Sequence, residues 1–551
     1  TGGTDELLLH NAVQILSEET SYTDNYRFIG SFWAEAQIIK GLTVRASYNN
    51  DSAYTYDYIY YNQNHPYAAD KGRILDRNRF VMTNTIDLYA NYNRKIGEDF
   101  ELGAMVGHSF LKTRSRTSYI DAQNYPSPAF DVASVAANIV DASAGLSEYA
   151  IESYFARLSL AYKDRYVVNA TIRTDGSSRF HPSDRWGHFW SVGASWRISE
   201  EQFMENTRQW LDNLTLKVSY GVQGNDNLGT YYAWQGLYDY TWPNATDAGA
   251  FVDKLENRKV TWEKNGNLNA GIEATMFGGR LGVSVEYYNR KTRDMLLNSP
   301  LPISTGFTGF NDNVGSLRNQ GLEVSLRGTI LHKRDFRWDA TLMGSFNRNK
   351  VLSLTGGQDV ITSGIRVIEV GRPIYTFYLP KTAGVDPATG KQLYYAYWTQ
   401  TVNDEGALVN TRCDEYITDN VAMATLSKYY HESREPKLFG SIGSTFTILK
   451  NIDVSFLTTY SIGGWVYDGL YNGSMYVQYA GNNWHKNAKR RWQKPGDKTD
   501  VPMLEVGGSY ATASNSLIDA SYFAIKNITV GYTLPKRWLK KIDIESLRIY
   551  A

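Results

Sequence analysis

Apolar and polar residues alternate through fifteen or sixteen separate segments of this chain, and the gaps between segments are alternately short and long. In one segment Leu42, Val44, Ala46 and Tyr48 interleave with Thr43, Arg45, Ser47 and Asn49. Successive side chains of a strand point to opposite faces, so this segment carries one greasy face and one polar face. The pattern returns at Ile86/Leu88/Ala90/Tyr92, Leu158/Leu160/Tyr162, Trp190/Val192/Ala194/Trp196, Leu216/Val218/Tyr220, Val283/Val285/Tyr287 and Leu322/Val324/Leu326. Segments of about ten residues, tilted near 45°, are what a transmembrane β-strand needs. The expected fold is all-β, the wall of a transmembrane antiparallel β-barrel.

Composition removes competing classes. No apolar run approaches the roughly 20 residues of a membrane helix, whereas a barrel hides its hydrophobicity by alternation. The 57 basic and 57 acidic residues cancel, so nothing supports nucleic-acid binding, which wants a basic surplus. Cys413 stands alone and forms no internal disulfide. A propeller would repeat every 40 to 50 residues or so, and no such repeat is visible. The chain starts at Thr1 without Met or an apolar leader and stops at Ile549-Tyr550-Ala551 inside an alternating segment. Residues 1–551 are therefore expected to be part of one barrel domain, truncated at both ends.

The connections set the polarity. Short ones fall near Lys40-Gly41, Arg94 to Asp99, Lys163-Asp164, Ser199 to Asn213, Phe277 to Gly279, Leu331 to Asp335, Lys450-Asn451 and Pro535 to Glu545. Long ones cover roughly 51–82, 112–151, 174–188, 223–267, 291–319, 349–437 and 463–521. Eight short turns and seven long loops imply about sixteen strands. Bacterial barrels keep short turns periplasmic and long loops outside. The first segment, Phe28 to Ile39, then descends, and residues 1–27 form the tail of an outer loop. Glu200 to Leu211 and Lys536 to Lys541 are expected to hold helical pieces at the periplasmic rim.

Specific words supply a family. Arg173-Thr174-Asp175-Gly176-Ser177-Ser178-Arg179-Phe180 resembles the DGSSRF stretch of SusC/RagA-type TonB-dependent transporters of Bacteroidota. Tyr220-Gly221-Val222-Gln223-Gly224-Asn225, Trp262-Glu263-Lys264-Asn265 and Asn319-Gln320-Gly321-Leu322-Glu323 match in the same order. So does Asp519-Ala520-Ser521-Tyr522-Phe523, which runs on to Pro535. The resemblance covers about residues 150 to 551. It implies a barrel of 22 strands around a plug, of which this chain holds about sixteen, with the plug and N-terminal extension outside it. It further implies import of a large nutrient across the outer membrane, an oligosaccharide first and a peptide second. The implied partners are a SusD-like surface lipoprotein, TonB (through the missing N-terminal region) and outer-membrane lipid. A passive porin and an adhesion or sensing receptor are the alternatives.

Aromatic residues in the long loops are the candidate substrate contacts: Trp234, Trp242, Tyr394, Tyr395, Trp398, Trp465 and Trp484. Rings with a polar tip stack on sugars, bind peptides or pack loop cores. Tyr54, Tyr56, Tyr58 and Tyr60 share one face and read as an interfacial girdle. Arg45, Glu35, Lys217, Glu273, Glu286, Glu323 and Asp339 are expected to face the lumen. No nucleophile–base pair appears, Gly384 to Lys391 lacks the spacing of a phosphate loop, and His181 with His188 lacks metal-ligand spacing. No catalytic, cofactor or metal residue is expected. The family's acidic loop segment follows a turn matched by Asp386-Pro387-Ala388-Thr389-Gly390, but Asn403-Asp404-Glu405-Gly406 departs from its spacing and argues against calcium there.

Overall fold

The computed structural model describes residues 12–551 except 66, 69–70, 241–248, 355–358, 476–483, 506–509 and 541–542. Sixteen strands form one antiparallel sheet in chain order, each pairing with the next. They are β1 (Glu19–Ile39), β2 (Leu42–Tyr61), β3 (Arg73–Ile96), β4 (Phe100–Gln123), β5 (Asn138–Tyr162), β6 (Tyr166–Ser177), β7 (Trp186–Arg197) and β8 (Leu211–Asn225). Then come β9 (Glu263–Met276), β10 (Leu281–Arg293), β11 (Ser316–Lys333), β12 (Phe336–Ser353), β13 (Leu438–Ile448), β14 (Ile452–Ile462), β15 (Tyr522–Thr533) and β16 (Arg548–Tyr550). The expected turns sit where the sequence put them. Lys163 and Asp164 both take φ of 53°, and Phe277, Gly278 and Gly279 take 59°, 65° and 78°, the positive angles of tight hairpins. The two helical pieces are present as Gln202–Thr207 and Lys536–Leu539.

One face of the sheet is the lipid belt. Ile86, Leu88, Val106, Ile172, Val192, Ile528 and Val530 all stand about half or more exposed along it. Covering the exposed half of such side chains with acyl tails recovers about 1 kcal/mol each. Rings edge the belt at both ends. At the turn end Tyr162, Tyr166 and Trp196 stack in a row with centroids 6.3 Å apart. At the loop end Trp190 meets Tyr220 and Tyr154 meets Trp186. From Trp186 to Trp196 is ten residues of β7, about 33 Å of strand and about 25 Å of height at a 40° tilt. That is the height of a membrane-facing apolar band. Among the described residues no helix is long and apolar enough to cross a membrane.

The strands outrun the expected loop boundaries. β2, β3, β4 and β5 are 20, 24, 24 and 25 residues long, so residues 51–61, 73–82, 112–123 and 138–151 belong to the ladder. β1 likewise begins at Glu19 rather than Phe28. Above the membrane both faces are wet, so the apolar alternation fades at Asn50 and Ser52 while backbone pairing continues. The girdle expected of Tyr54 to Tyr60 is corrected at Tyr56, Tyr58 and Tyr60, while Tyr54 stays exposed. Residues 124–137 fold over this face, Tyr58 is 6% exposed, and its hydroxyl donates to the Asp131 carbonyl at 2.9 Å. Tyr58, Ile74, Ala122 and Tyr125 form a small core beneath that loop.

The longest loop makes a layer of its own. Strands Val360–Ser363, Arg366–Glu369, Thr376–Val385, Gln392–Val402, Leu408–Thr418 and Lys428–Ser433 build a six-stranded sheet. The segment 463–521 clamps it: Thr382 N–H donates to Ser514 Oγ at 3.1 Å, and Trp492 Nε1 donates to the Pro387 carbonyl at 2.9 Å.

Candidate functional site

On the polar face of β9 to β12 the odd-even register assembles an amide-rich wall. Asn267, Arg290, Asn319 and Asn349 lie opposite one another across four strands. Asn269, Tyr288, Gly321 and Asn347 make the row beneath. Arg290 Nε donates to Asn267 Oδ1 at 2.7 Å, Asn349 Nδ2 to Asn319 Oδ1 at 2.7 Å, and Tyr288 OH to Asn347 Oδ1 at 2.9 Å. Gly321 is needed because a Cβ there would stand 2.1 Å from the Phe346 carbonyl oxygen and 2.5 Å from the Tyr288 hydroxyl. A concavity of about 550 Å³ follows this wall. A second, about 720 Å³, shares Asn267 and Asn269 and extends past Arg157, Arg173 and Gln223. Other lumen residues pair locally: Lys217 with Glu273 at 2.5 Å, Arg45 with Glu35 at 3.8 Å and Arg337 with Asp339 at 2.7 Å. The surface offers many neutral donors and acceptors, with the charges of Glu286, Arg290 and Glu323 among them, to whatever passes it.

At the loop end the DGSSRF stretch closes a clamp. Arg179 lies over the rings of Tyr149 (4.5 Å) and Tyr231 (5.4 Å), which stack on each other at 5.5 Å. Asp226 receives Ser177 Oγ at 2.7 Å and the Tyr149 hydroxyl at 2.8 Å. Burial, then the Asp226 carboxylate, drives the Tyr149 phenol well above its ordinary value. Beside it Phe180, Phe189, Val260, Trp262 and Leu296 form the core of the outer loops.

The predicted aromatic residues separate into different settings. Trp234 packs against that loop core and meets His181 edge-on at 4.9 Å. Tyr394 is 1% exposed, and its hydroxyl accepts the Ala511 N–H at 3.1 Å. Burial pushes its phenol up to about 12. Its ring is loop core, with Ala424, Ala511 and Ala513 around it. Tyr395 faces the other way, 4.4 Å from Lys381 Nζ. Trp398 is half-buried opposite Arg412, and Trp484 packs on the cluster of Met475, Ala488 and Val501. Trp242 lies outside the described residues.

Trp465 lines an open concavity of about 700 Å³, shared with Arg372, Tyr430, Glu432, Ser433 and Ser514. Arg372 lies 3.7 Å over the Tyr430 ring and is held by Glu369 at 2.7 Å. Sequence reasoning missed Arg372 and Tyr430. The alternation in Lys428–Ser433 was the available signal, but its pairing with Thr376–Val385 is non-local. Asp386 accepts from Ala388 N–H at 2.9 Å and Thr389 Oγ1 at 2.6 Å, which holds its carboxyl below the usual range and makes it a turn cap. Among the described residues no three His, Cys, Asp or Glu side chains are grouped to hold a metal.

A sixteen-stranded antiparallel sheet with a membrane-height apolar belt, ringed edges, a polar inner face and folded outer loops defines an outer-membrane β-barrel. The chain belongs to the family described as "TonB dependent receptor-like, beta-barrel", which matches residues 9–551. It is 27% identical to TonB-dependent receptor P26 of Formosa agariphila, over 98% of this chain and 55% of that protein. It is 28% identical to TonB-dependent receptor SusC of Bacteroides thetaiotaomicron, over 82% of this chain and 44% of that protein. A solved structure of the RagAB peptide transporter superposes with a TM-score of 0.85 at 26% identity, covering 97% of this chain and 58% of that one. The chain spans about half the length of the curated relatives it matches. Its setting is the outer membrane.

Proposed function

We propose that this barrel is the wall of an active importer, which takes a large neutral nutrient across the outer membrane with energy delivered through TonB. The observation that carries the reading is the amide wall of Asn267, Asn269, Asn319, Asn347 and Asn349, which continues inward beneath an aromatic-lined outer layer. Neutral donors and acceptors in rows suit a ligand rich in hydroxyls or amides and hold no single ion tightly. An oligosaccharide is the first substrate class, with the Trp465–Tyr430–Arg372 concavity as its outer contact. A peptide is the second, favoured by the likeness to the RagAB peptide transporter. Likeness to RagAB and SusC also supports a SusD-like surface lipoprotein as the partner that covers the loops.

Two rivals make different predictions. A passive porin would have no plug segment of on the order of a hundred residues upstream in the full gene. An adhesion or sensing receptor would keep its ligand binding and its biological effect when TonB is deleted. The test of the import reading is purification of the full-length protein from native outer membranes, with mass spectrometry of everything retained. A stoichiometric lipoprotein with a bound neutral glycan is the expected result. A barrel recovered with neither partner nor ligand contradicts it.

A further inference from the structure

One residue out of step with the inner amide row lies an outer row of cations. Lys291 on β10, Arg318 on β11 and Lys350 on β12 are direct cross-strand partners. Side chains alternate across a strand, so these three point to the lipid side while Arg290, Asn319 and Asn349 point inward. Lys264 and Arg293 are paired one step higher, and Arg348 lies one step lower. All six are half-exposed or exposed. Among the described residues, the one ion pair they make is Lys264 Nζ to Asp294 Oδ2, at 4.0 Å. The chain as a whole has no surplus charge, with 57 basic and 57 acidic residues. The surplus here comes from placement.

Like charges directly opposite on neighbouring strands destabilise a sheet. Strands lie about 4.8 Å apart, and three cations in one row repel twice over unless an anion lies across them. Height says which anion. The last apolar residues of the belt on these strands are Tyr287, Leu322 and Phe346. The row of Lys291, Arg318 and Lys350 is four residues beyond them, about 13 Å of strand and about 10 Å of height. That height is the outer edge of the headgroup layer, about 5–8 Å of polar region on each side of the hydrocarbon, and long Lys and Arg side chains reach down from it to the phosphates.

We propose that the outer face of β9 to β12 binds the phosphorylated headgroup of an outer-leaflet glycolipid, with Lys291, Arg318 and Lys350 across the phosphate and Arg348 beneath it. Arg side chains meet phosphate oxygens bidentately, and Lys adds point charge. The bound lipid neutralises the row and fixes the depth of this side of the barrel. The proposal is independent of the transported substrate.

The test uses the full-length protein in zwitterionic detergent, titrated with bisphosphorylated lipid A, dephosphorylated lipid A and inorganic phosphate. Binding is read by native mass spectrometry, and folding by heat-modifiable gel mobility. Each cation near an anionic surface contributes about fivefold, so Lys291→Gln, Arg318→Gln and Lys350→Gln together weaken lipid A by about a hundredfold. Lys291→Arg with Lys350→Arg keeps the affinity. Without lipid the neutralised variant melts higher than the parent, because repulsion is gone, and added lipid A raises the parent's melting more. If the triple variant does not fold, Arg318→Gln alone decides by the same titration, with about fivefold expected. Equal binding by parent and variant overturns the proposal. So does equal binding of the dephosphorylated lipid, or displacement of the lipid by equimolar inorganic phosphate. Loss of an acidic protein partner in the variant, with lipid A affinity unchanged, overturns it in favour of a protein interface.

Discussion

Arg179 Nη1 reaches Asp226 Oδ1 at 3.2 Å across 47 positions of sequence, with both side chains less than 15% exposed. The pair joins the connection after β6 to the one after β8, and Asp226 also holds Ser177 and Tyr149. Removing the acid leaves a guanidinium nearly buried over two stacked rings, with the Asp226 carbonyl and Asn227 as its neutral partners. Asp226→Ala should therefore destabilise this loop layer by about 2–3 kcal/mol. Hydrogen exchange of the full-length protein should show lost protection at residues 148–151 and 226–234, with the strands of the belt unchanged. Unchanged protection at the loops would mean that the clamp contributes nothing.

Glu435 gives a pH dependence. Burial alone raises its carboxyl above the ordinary value, and Asn347 Nδ2 approaches it at 3.5 Å. A carboxyl raised in the folded state favours folding while protonated, and its ionised form opposes folding. Stability of the loop mouth should be highest below the unfolded value near 4.5 and fall above it, as pH rises through the raised folded-state value. Glu435→Gln should raise stability at pH 7 and flatten that profile, as read by melting of the protein between pH 4 and 8.

The turn of Lys163 and Asp164 holds two non-glycine residues at φ of 53°. Replacing the pair with Asn-Gly should stabilise the hairpin of β5 and β6 by about 1–2 kcal/mol. The exposed Lys163–Asp99 contact at 3.5 Å that is lost contributes little against this. A higher midpoint of unfolding, or faster folding into detergent, is the measurement.

Trp465 and Tyr394 were equal candidates in the sequence, and the structure separates them. Trp465→Ala should lower affinity for the captured ligand about tenfold, as removal of an aromatic anchor from a binding concavity does. Tyr394→Phe should leave that affinity unchanged and cost about 1 kcal/mol of stability, because the Ala511 N–H loses its acceptor. Calorimetry of binding and thermal melting on the same two variants separates the roles.

Strand number, order, polarity and turn positions were legible because lipid on one face and water on the other force a period of two. Where that asymmetry ends, legibility ended. The upper halves of β2 to β5 carry polar residues on both faces, so their pairing left no alternating trace. Tyr58 looked interfacial because a loop 73 residues away, which covers it through Asp131, cannot be read from spacing. The family words gain physical meaning only in three dimensions. Gly321 clears the Phe346 carbonyl and the Tyr288 ring, and Gly224 clears Phe189, whose nearest ring atom lies 2.1 Å from the Cβ it would carry. The Trp465 concavity was half visible, since Arg372 sits in a turn just before Thr376–Val385 and Tyr430 on the strand that pairs with it from about 50 residues away.

The central claim is energised import, and uptake tests it most directly. Cells expressing the full-length gene would be given labelled neutral oligosaccharides and, separately, peptides, with TonB present, with TonB deleted and with the proton gradient collapsed. The account predicts accumulation of one class that stops when either TonB or the gradient is removed, while surface binding persists. Accumulation that continues at the same rate without TonB would contradict it and make the barrel a passive pore.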